Sequence, residues 1–379
     1  MYRMKDLMKP GNPLALAFLL LLSAGQTASA EDLTAAVIEK LAPLPEVPVP
    51  EDNPMSDEKV ELGKMLYFDT RLSGDSSISC SKCHNPDTGF TEESELSTSY
   101  PGTKHWRHTP TVLNAAYAEH LFWDGRAGSL EEQALGPIQA PVEMNQNLGR
   151  LKAKLSQIPE YVKRFKAVFD AAPNRGDLAK AVAAFERTIV SANVPLDEYL
   201  KGDKSALDDQ QVRGMELFEG KAGCIQCHGG AFLSDQKFHV TGVPETEALQ
   251  KESDRIAMRQ FFARDSGFED YAETDHDHGR YFNSKKEADK GAFKTPSLRE
   301  ITVTAPYMHN GAFKTLEEVV DFYDKGGGEH PNKDRLLKPL DLTDEEKEDL
   351  IAFLDALTGD PSEIEEPDLT LVTKRDGSY

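Results

Sequence analysis

Cations, cysteines and long apolar stretches are all scarce in this chain. Lys and Arg number 43 against 65 Asp and Glu, a formal charge of −22, and that imbalance excludes nucleic acid as the partner. It leaves room for a basic protein partner. Beyond residue 30 no apolar run approaches the roughly 20 residues a membrane helix needs, which excludes a span in the remainder. Alternation of apolar and polar residues is rare too, so helices carry the fold.

The N-terminus supplies the exception. Arg3, Lys5 and Lys9 precede an apolar run from Leu14 to Leu22, and Ala28-Ser29-Ala30 stands before Glu31, the pattern of a secretory signal peptide over residues 1–30. A run that short, closed by Ser23 and Gly25, is cleaved rather than retained as a span. The expected mature chain begins at Glu31, carries a charge of −24, and is a soluble periplasmic protein. Its about 349 residues exceed what one core organises, so two domains are expected.

All four cysteines fall in two copies of Cys-x-x-Cys-His: Cys80-Ser81-Lys82-Cys83-His84 and Cys224-Ile225-Gln226-Cys227-His228. Two thiols one helical turn apart can form thioethers to the vinyl groups of a haem, and the adjacent histidine then faces the iron. A zinc site would join its pairs at knuckle spacing, whereas these lie 144 residues apart. Disulfides would not call for a histidine after each pair. The motifs predict two covalently bound c-type haems, one per domain.

Ser56 caps a helix whose Leu62, Met65 and Leu66 share a face, and Leu178 to Ala192 forms another. Glu198 to Ala206 has the Gly, Lys and Asp content of a linker. Asp208 to Glu219 and Leu342 to Leu357, the latter begun by Thr343-Asp344-Glu345-Glu346, form the helix pair expected to pack in a cytochrome c fold. Between them, Glu245 to Lys290 reads as an acidic surface insertion, helical near Glu252 to Ala263. The expected fold is all-α with irregular loops and little β structure. It divides into the leader 1–30, an N-terminal cytochrome c-like domain 31–203, a C-terminal one 204–360, and an irregular acidic tail 361–379.

Three further blocks carry a resemblance. They are Arg107-His108-Thr109-Pro110-Thr111-Val112-Leu113-Asn114; Phe122-Trp123-Asp124-Gly125-Arg126 with Gln133, Gly136-Pro137 and Glu143-Met144; and Thr295-Pro296-Ser297-Leu298-Arg299 followed by Ala305-Pro306-Tyr307-Met308-His309-Asn310-Gly311. With both haem motifs, they resemble the bacterial dihaem cytochrome c peroxidase and MauG family over most of residues 55–358.

The resemblance implies roles position by position. His84 becomes the proximal ligand of a first, high-spin haem whose open face is lined by Gln133, Pro137 and Glu143. Glu143 is the implied acid and base for peroxide, and Gln133 orients it. Trp123 takes the place of the tryptophan between the haems. His228 is the proximal ligand of the second haem. Its sixth ligand, a methionine in the peroxidases and a tyrosine in MauG-type proteins, falls on Tyr323, with Met308 left as a packing position. A phenolate there stabilises higher oxidation states of iron, whereas a thioether favours the ferrous state.

The chain departs from the family in two places. Only His105 stands between His84 and Arg107, too near Arg107 for the family's blocking histidine, so the first haem is expected to be open and His105 an ordinary loop residue. The calcium the family holds would keep the carbonyls of Thr304 and Pro306, but His108 replaces an asparagine and is a poor ligand for a hard cation. His276, Asp277 and His278 are read as chance neighbours in a charged insertion.

The leading function is reduction of hydrogen peroxide to water, with electrons from a small cytochrome or cupredoxin passing through the second haem. The alternative is MauG-like oxidation of side chains in a partner protein. Tyr323 favours it, while Trp106 and Trp123 leave no tryptophan beside the second motif, so a surface tyrosine such as Tyr199 would have to serve. A plain electron carrier would have no use for the polar block at Gln133 and Glu143. A homodimer fits the resemblance.

Overall fold

In the computed structural model, the described residues are 40–97, 100, 102, 105–360 and 364–373; the expected signal peptide, 1–30, lies outside them. In chain order the principal helices are α1 (Asp57–Phe68), α2 (Leu130–Gln139), α3 (Leu148–Leu155), α4 (Pro159–Phe169), α5 (Arg175–Glu186), α6 (Pro195–Lys201), α7 (Asp209–Glu219), α8 (Ser253–Asp265), α9 (Leu316–Asp324) and α10 (Asp344–Asp355). Sheet structure among the described residues is one antiparallel pair, Phe238–His239 against Phe293–Lys294. The chain is thus mostly helical.

Two helix crossings anchor the halves, and they are built alike. In the first, a Cβ on Gly63 of α1 would come within 1.9 Å of the Ala181 carbonyl oxygen of α5, so only glycine allows the approach. One turn on, Tyr67 meets Phe185 edge-on with centroids 5.1 Å apart. In the second, a Cβ on Gly214 of α7 would come within 1.9 Å of the Asp349 carbonyl oxygen of α10, and Phe218 meets Phe353 edge-on at 5.2 Å. Capping boxes at Asp208 with Gln211 and at Thr343 with Glu346 start the second pair, satisfying N–H groups that the first turn leaves free.

Each crossing seeds its own core. Leu62, Leu66, Ile138, Leu151, Tyr161, Phe165 and Val182 are buried in the first half, and Met215, Leu233, Leu316, Leu350 and Leu357 in the second. Burial of a side chain of this size contributes about 1.5–3 kcal/mol.

Three segments differ from the sequence reading. The stretch expected as a linker, Glu198 to Ala206, is partly helix α6, and Leu196, Tyr199 and Leu207 sit in the second core, so the crossing between halves comes earlier. Pro195 opens that helix at a position where a missing N–H costs nothing. Tyr199 is accordingly buried, 5% exposed, and is not a surface relay. The acidic tail is not wholly irregular either: Thr370–Thr373 is a helical turn, Val372 enters the first core, and its carbonyl accepts from Arg71 Nη1 at 2.6 Å. Conversely, Leu41 near the N-terminus packs in the second core. Each end of the described chain is therefore strapped to the opposite half.

The acidic insertion has a specific seat. Its helix α8 runs close to the expected span, and Phe262 packs on Trp106 with ring centroids 5.1 Å apart. Leu249 and Met258 complete a small cluster with Leu96 and Trp106. A segment of the second half thus lies over a loop of the first.

Candidate active site

Both Cys-x-x-Cys-His motifs begin in a single tight turn, with His84 N–H bonded to Cys80 O at 3.0 Å and His228 N–H to Cys224 O at 2.9 Å. The turn sets the two sulfurs of each motif on one side with the histidine beside them. His84 Nδ1 faces the Phe90 carbonyl at 3.2 Å, and His228 Nδ1 the Leu233 carbonyl at 3.1 Å. A carbonyl only accepts, so Nδ1 carries the proton and Nε2 keeps its lone pair in both rings. Burial pushes each imidazole down to about 4, which keeps that lone pair free at neutral pH.

Both motifs line one cavity of about 480 Å³, together with Trp123, Gln133, Pro137, Glu143, Met308 and Tyr323; Glu143 lies close enough to Cys83, and Tyr323 to Cys224 and Cys227, to interact electrostatically. None of the four cysteines is joined in a disulfide. Burial raises Cys80 and Cys224 to about 12, so they are neutral thiols facing an apolar cleft. Paired thiols, a histidine with an available Nε2 and a largely apolar cavity are the donor set and space a c-type haem needs, and the residues fit two such groups.

The walls around the two motifs repeat, with each second-half position 186 residues after its first-half mate, as Leu316 is to Leu130. Thr109-Pro110-Thr111 corresponds to Thr295-Pro296-Ser297. Asn114 and Glu300 both adopt φ 61°, Phe122 and Met308 φ 64° and 73°, and Gly125 and Gly311 φ 66° and 63°. The loop between is closed by the bridge Leu121 with Ala127 in one half and Tyr307 with Phe313 in the other. Ser129 then caps α2 by accepting from Glu132 N–H, as Thr315 caps α9 by accepting from Glu318 N–H. At the end of this shared frame Pro137 and Tyr323 occupy the same register.

The halves meet where the mates Trp123 and His309 lie edge to face, ring centroids 6.5 Å apart. The backbone bonds here are reciprocal: His108 N–H donates to His309 O at 2.8 Å, and Lys294 N–H to Trp123 O at 2.9 Å. Trp123 Nε1–H donates to His108 O at 2.9 Å. His309 stacks on Phe293 at 3.6 Å. Trp123 is thereby fixed between the two motif-bearing walls.

Around the first motif the electrostatics are dominated by buried ion pairs. Arg107 is held by Asp124 at 2.7 Å and by Asp277 at 2.6 Å. Burial of Asp277 is outweighed by the Arg107 charge, which keeps its carboxyl well below the usual range. The His276, Asp277 and His278 run is therefore no cluster: Asp277 clamps Arg107, His278 packs on Phe282, and His276 is exposed. Burial pushes the Glu143 carboxyl up while Arg126 and Arg107 oppose it.

His105 is the residue that sequence reasoning undervalued. It lines the cavity, stacks on Trp106 at 3.8 Å, and brings Nε2 to 3.7 Å from Glu143 Oε1. Its spacing from Glu143 carries no motif, because loop and insertion bring them together. His108 Nδ1 faces the Ser94 carbonyl and Nε2 the Thr91 hydroxyl, so its ring gives no oxygen to a calcium site. Thr304 and Pro306 line the cavity.

The chain matches the di-haem cytochrome c peroxidase family over residues 57–205. It is 47% identical to cytochrome-c peroxidase IdrP1 of Pseudomonas sp. (strain SCT), over 91% of this chain and 92% of that protein. It is 37% identical to the methylamine utilization protein MauG of Methylorubrum extorquens, over 92% of each. A crystal structure of a MauG-like protein associated with microbial copper homeostasis superposes with a TM-score of 0.71 at 33% identity, covering 83% of this chain and 93% of that one. The chain belongs to the dihaem cytochrome c peroxidase and MauG family. No helix among the described residues is long and apolar enough to cross a membrane.

Proposed function

We propose that the protein is a periplasmic dihaem peroxidase that reduces hydrogen peroxide at the first motif and draws electrons through the second. Cys80, Cys83 and His84 would hold one haem and Cys224, Cys227 and His228 the other, each in its own cytochrome c-like half. The observation that carries the reading is the shared register of Pro137 and Tyr323. A proline offers no ligand atom, so the first site keeps an open face beside Gln133 and Glu143. At the second site the same position presents a phenol, fit to close it. Burial raises the Tyr323 phenol well above its ordinary value; a cation at the oxygen would favour the phenolate.

When bound, the haem iron supplies the redox chemistry. The chain supplies the rest. Glu143 can take the proton of one peroxide oxygen at Oε1 and return it to the other, so that water leaves. Gln133 orients the peroxide by hydrogen bonding. Trp123, held rigid by its bond to the His108 carbonyl, bridges the two sites. With Cys227 committed to a thioether, the grouping of Cys227, Asp235 and His239, whose ligand atoms lie within 4.8 Å of one another, loses its sulfur. His239 instead stays clamped between Asp235 at 3.0 Å and Asp334 at 2.5 Å. Calcium at the Thr304 and Pro306 carbonyls would depend on water for the rest of its shell.

A small cytochrome or cupredoxin is the proposed donor. The Tyr323 register favours a second reading, MauG-like oxidation of side chains in a partner protein. The test is the absorption spectrum of the fully ferric holoprotein before and after one equivalent of hydrogen peroxide, with Tyr323→Met alongside. An immediate, long-lived change in wild type that the variant loses supports tyrosine ligation and the MauG-like reading. A ferric protein that ignores peroxide until half-reduced identifies a reductively gated peroxidase and counts against Tyr323.

A further inference from the structure

His105 is fixed from every side. Its N–H donates to Ser97 O at 2.7 Å, and its carbonyl accepts from Arg255 Nη1 of α8 at 2.9 Å. The ring stacks on Trp106, itself packed on Phe262. Its Nδ1 accepts the Arg107 N–H at 3.2 Å, so the ring proton sits on Nε2, the atom 3.7 Å from Glu143 Oε1. A shift of under about 1 Å brings that contact to hydrogen-bond length.

We propose that His105 is a positioning residue for Glu143: its Nε2–H orients the carboxylate and holds it ionised to receive the peroxide proton. This rests on the reading of the first cavity as the peroxide site.

The surroundings fit a fixed neutral donor rather than a second base. Burial, with Arg107, Arg126 and Arg255 against a weaker pull from Asp277, pushes the His105 imidazole down to about 3. The ring is therefore uncharged over the working range, and its tautomer is set by the Arg107 backbone. Glu143 is faced by Arg126 and Arg107, which favour its charge, and by Asp124, which disfavours it. Arg107 is already neutralised by Asp124 and Asp277, and Arg126 pairs with Asp124 at 2.9 Å. Those cations are committed elsewhere, which leaves the His105 N–H as the donor directed at the carboxylate. The insertion of the second half, through Arg255, Phe262 and Asp277, is what holds this loop in place.

The test uses the holoprotein with His105→Phe, His105→Gln and Glu143→Gln, following peroxide turnover and the rate of cyanide binding to the ferric protein across pH. Hydrogen cyanide also gives up a proton inside the cavity, so its binding reads Glu143 without turnover. A donor to the charged form lowers a carboxyl pKa. Removing it in His105→Phe should move the acid limb of both profiles up by about one pH unit and slow turnover roughly tenfold to a hundredfold. His105→Gln, which keeps an N–H donor, should stay near wild type. If Glu143→Gln is impaired while His105→Phe matches wild type in rate and limb, the role of His105 is overturned. Equal losses in both His105 variants with an unmoved limb also overturn it, leaving only packing on Trp106. If Glu143→Gln itself changes neither turnover nor cyanide binding, the reading of the first cavity fails instead.

Discussion

At the start of α2 the chain runs Ser129-Leu130-Glu131-Glu132, and at the start of α9 Thr315-Leu316-Glu317-Glu318; two turns on, one half has Pro137 and the other Tyr323. The caps, the positive-φ loops and the bridges before these helices are the same in kind. The residues that project from the frame are not: Trp123 against His309, Gln133 against Val319, Glu186 against Leu354 by the matching of α5 with α10. At the last two of these pairs the first half is polar where the second is apolar. The comparison teaches that a shared scaffold fixes where a ligand atom can stand, and a single residue decides whether one stands there.

The largest effect should come from Glu143. Glu143→Gln keeps the shape and removes the proton acceptor, and peroxide turnover should fall about 10²- to 10⁴-fold while the spectrum of the second haem is unchanged. A loss below tenfold would place the acid and base elsewhere and blur the contrast between the halves. Next is the register itself. Tyr323→Phe makes the second site resemble the first, and a cyanide titration of the ferric protein should rise from one site per chain to two. An unchanged stoichiometry would mean that another side chain, such as Met308, which lines the same cavity, closes the second site.

The helix crossings test whether the halves are equally rigid. Gly63→Ala and Gly214→Ala each drive a Cβ into a carbonyl that stands at 1.9 Å, and each should destabilise the protein by about 1–3 kcal/mol, read as a lowered midpoint in thermal unfolding. If one substitution is silent, the two crossings are not equivalent.

Much of this frame was legible. The caps at Ser56, Asp208 and Thr343 and the amphipathic faces that follow them are local signals, and the helices begin where those signals stand. The repeat was not: Ser-Leu-Glu-Glu and Thr-Leu-Glu-Glu recur at a fixed offset, but so short a match stands out only once the caps, bridges and positive-φ loops are seen in one register. What lay beyond reach depends on contacts between distant segments. Tyr199 looked like linker because its neighbours Lys201, Gly202 and Asp203 are polar, and it is buried because α6 docks on the second core. The contact of His105 with Glu143 needs the α8 insertion to seat Trp106, and no local pattern encodes that.

The smallest effect isolates the one mate that titrates. Trp123 is indifferent to pH, but burial pushes its counterpart His309 down to about 4, with Asp277 and Arg107 acting in opposite senses. In the unfolded chain a histidine titrates near 6.5. The folded pKa lies below the unfolded one, so the unfolded state binds more protons between those values and stability falls as the pH drops from about 6.5 toward 4. One such group gives a slope of at most about 1.4 kcal/mol per pH unit. His309→Gln, neutral throughout, should flatten the dependence of the thermal midpoint on pH by about that share within this window and leave the slope above pH 7 as it was. The effect is bounded, because His105 and His108 are also buried and held low, at about 3 and about 4, and they continue to drive acid unfolding. If the variant keeps the full wild-type slope, His309 is protonated in the folded protein, and the pairing of an inert Trp123 with a neutral His309 at the seam is wrong.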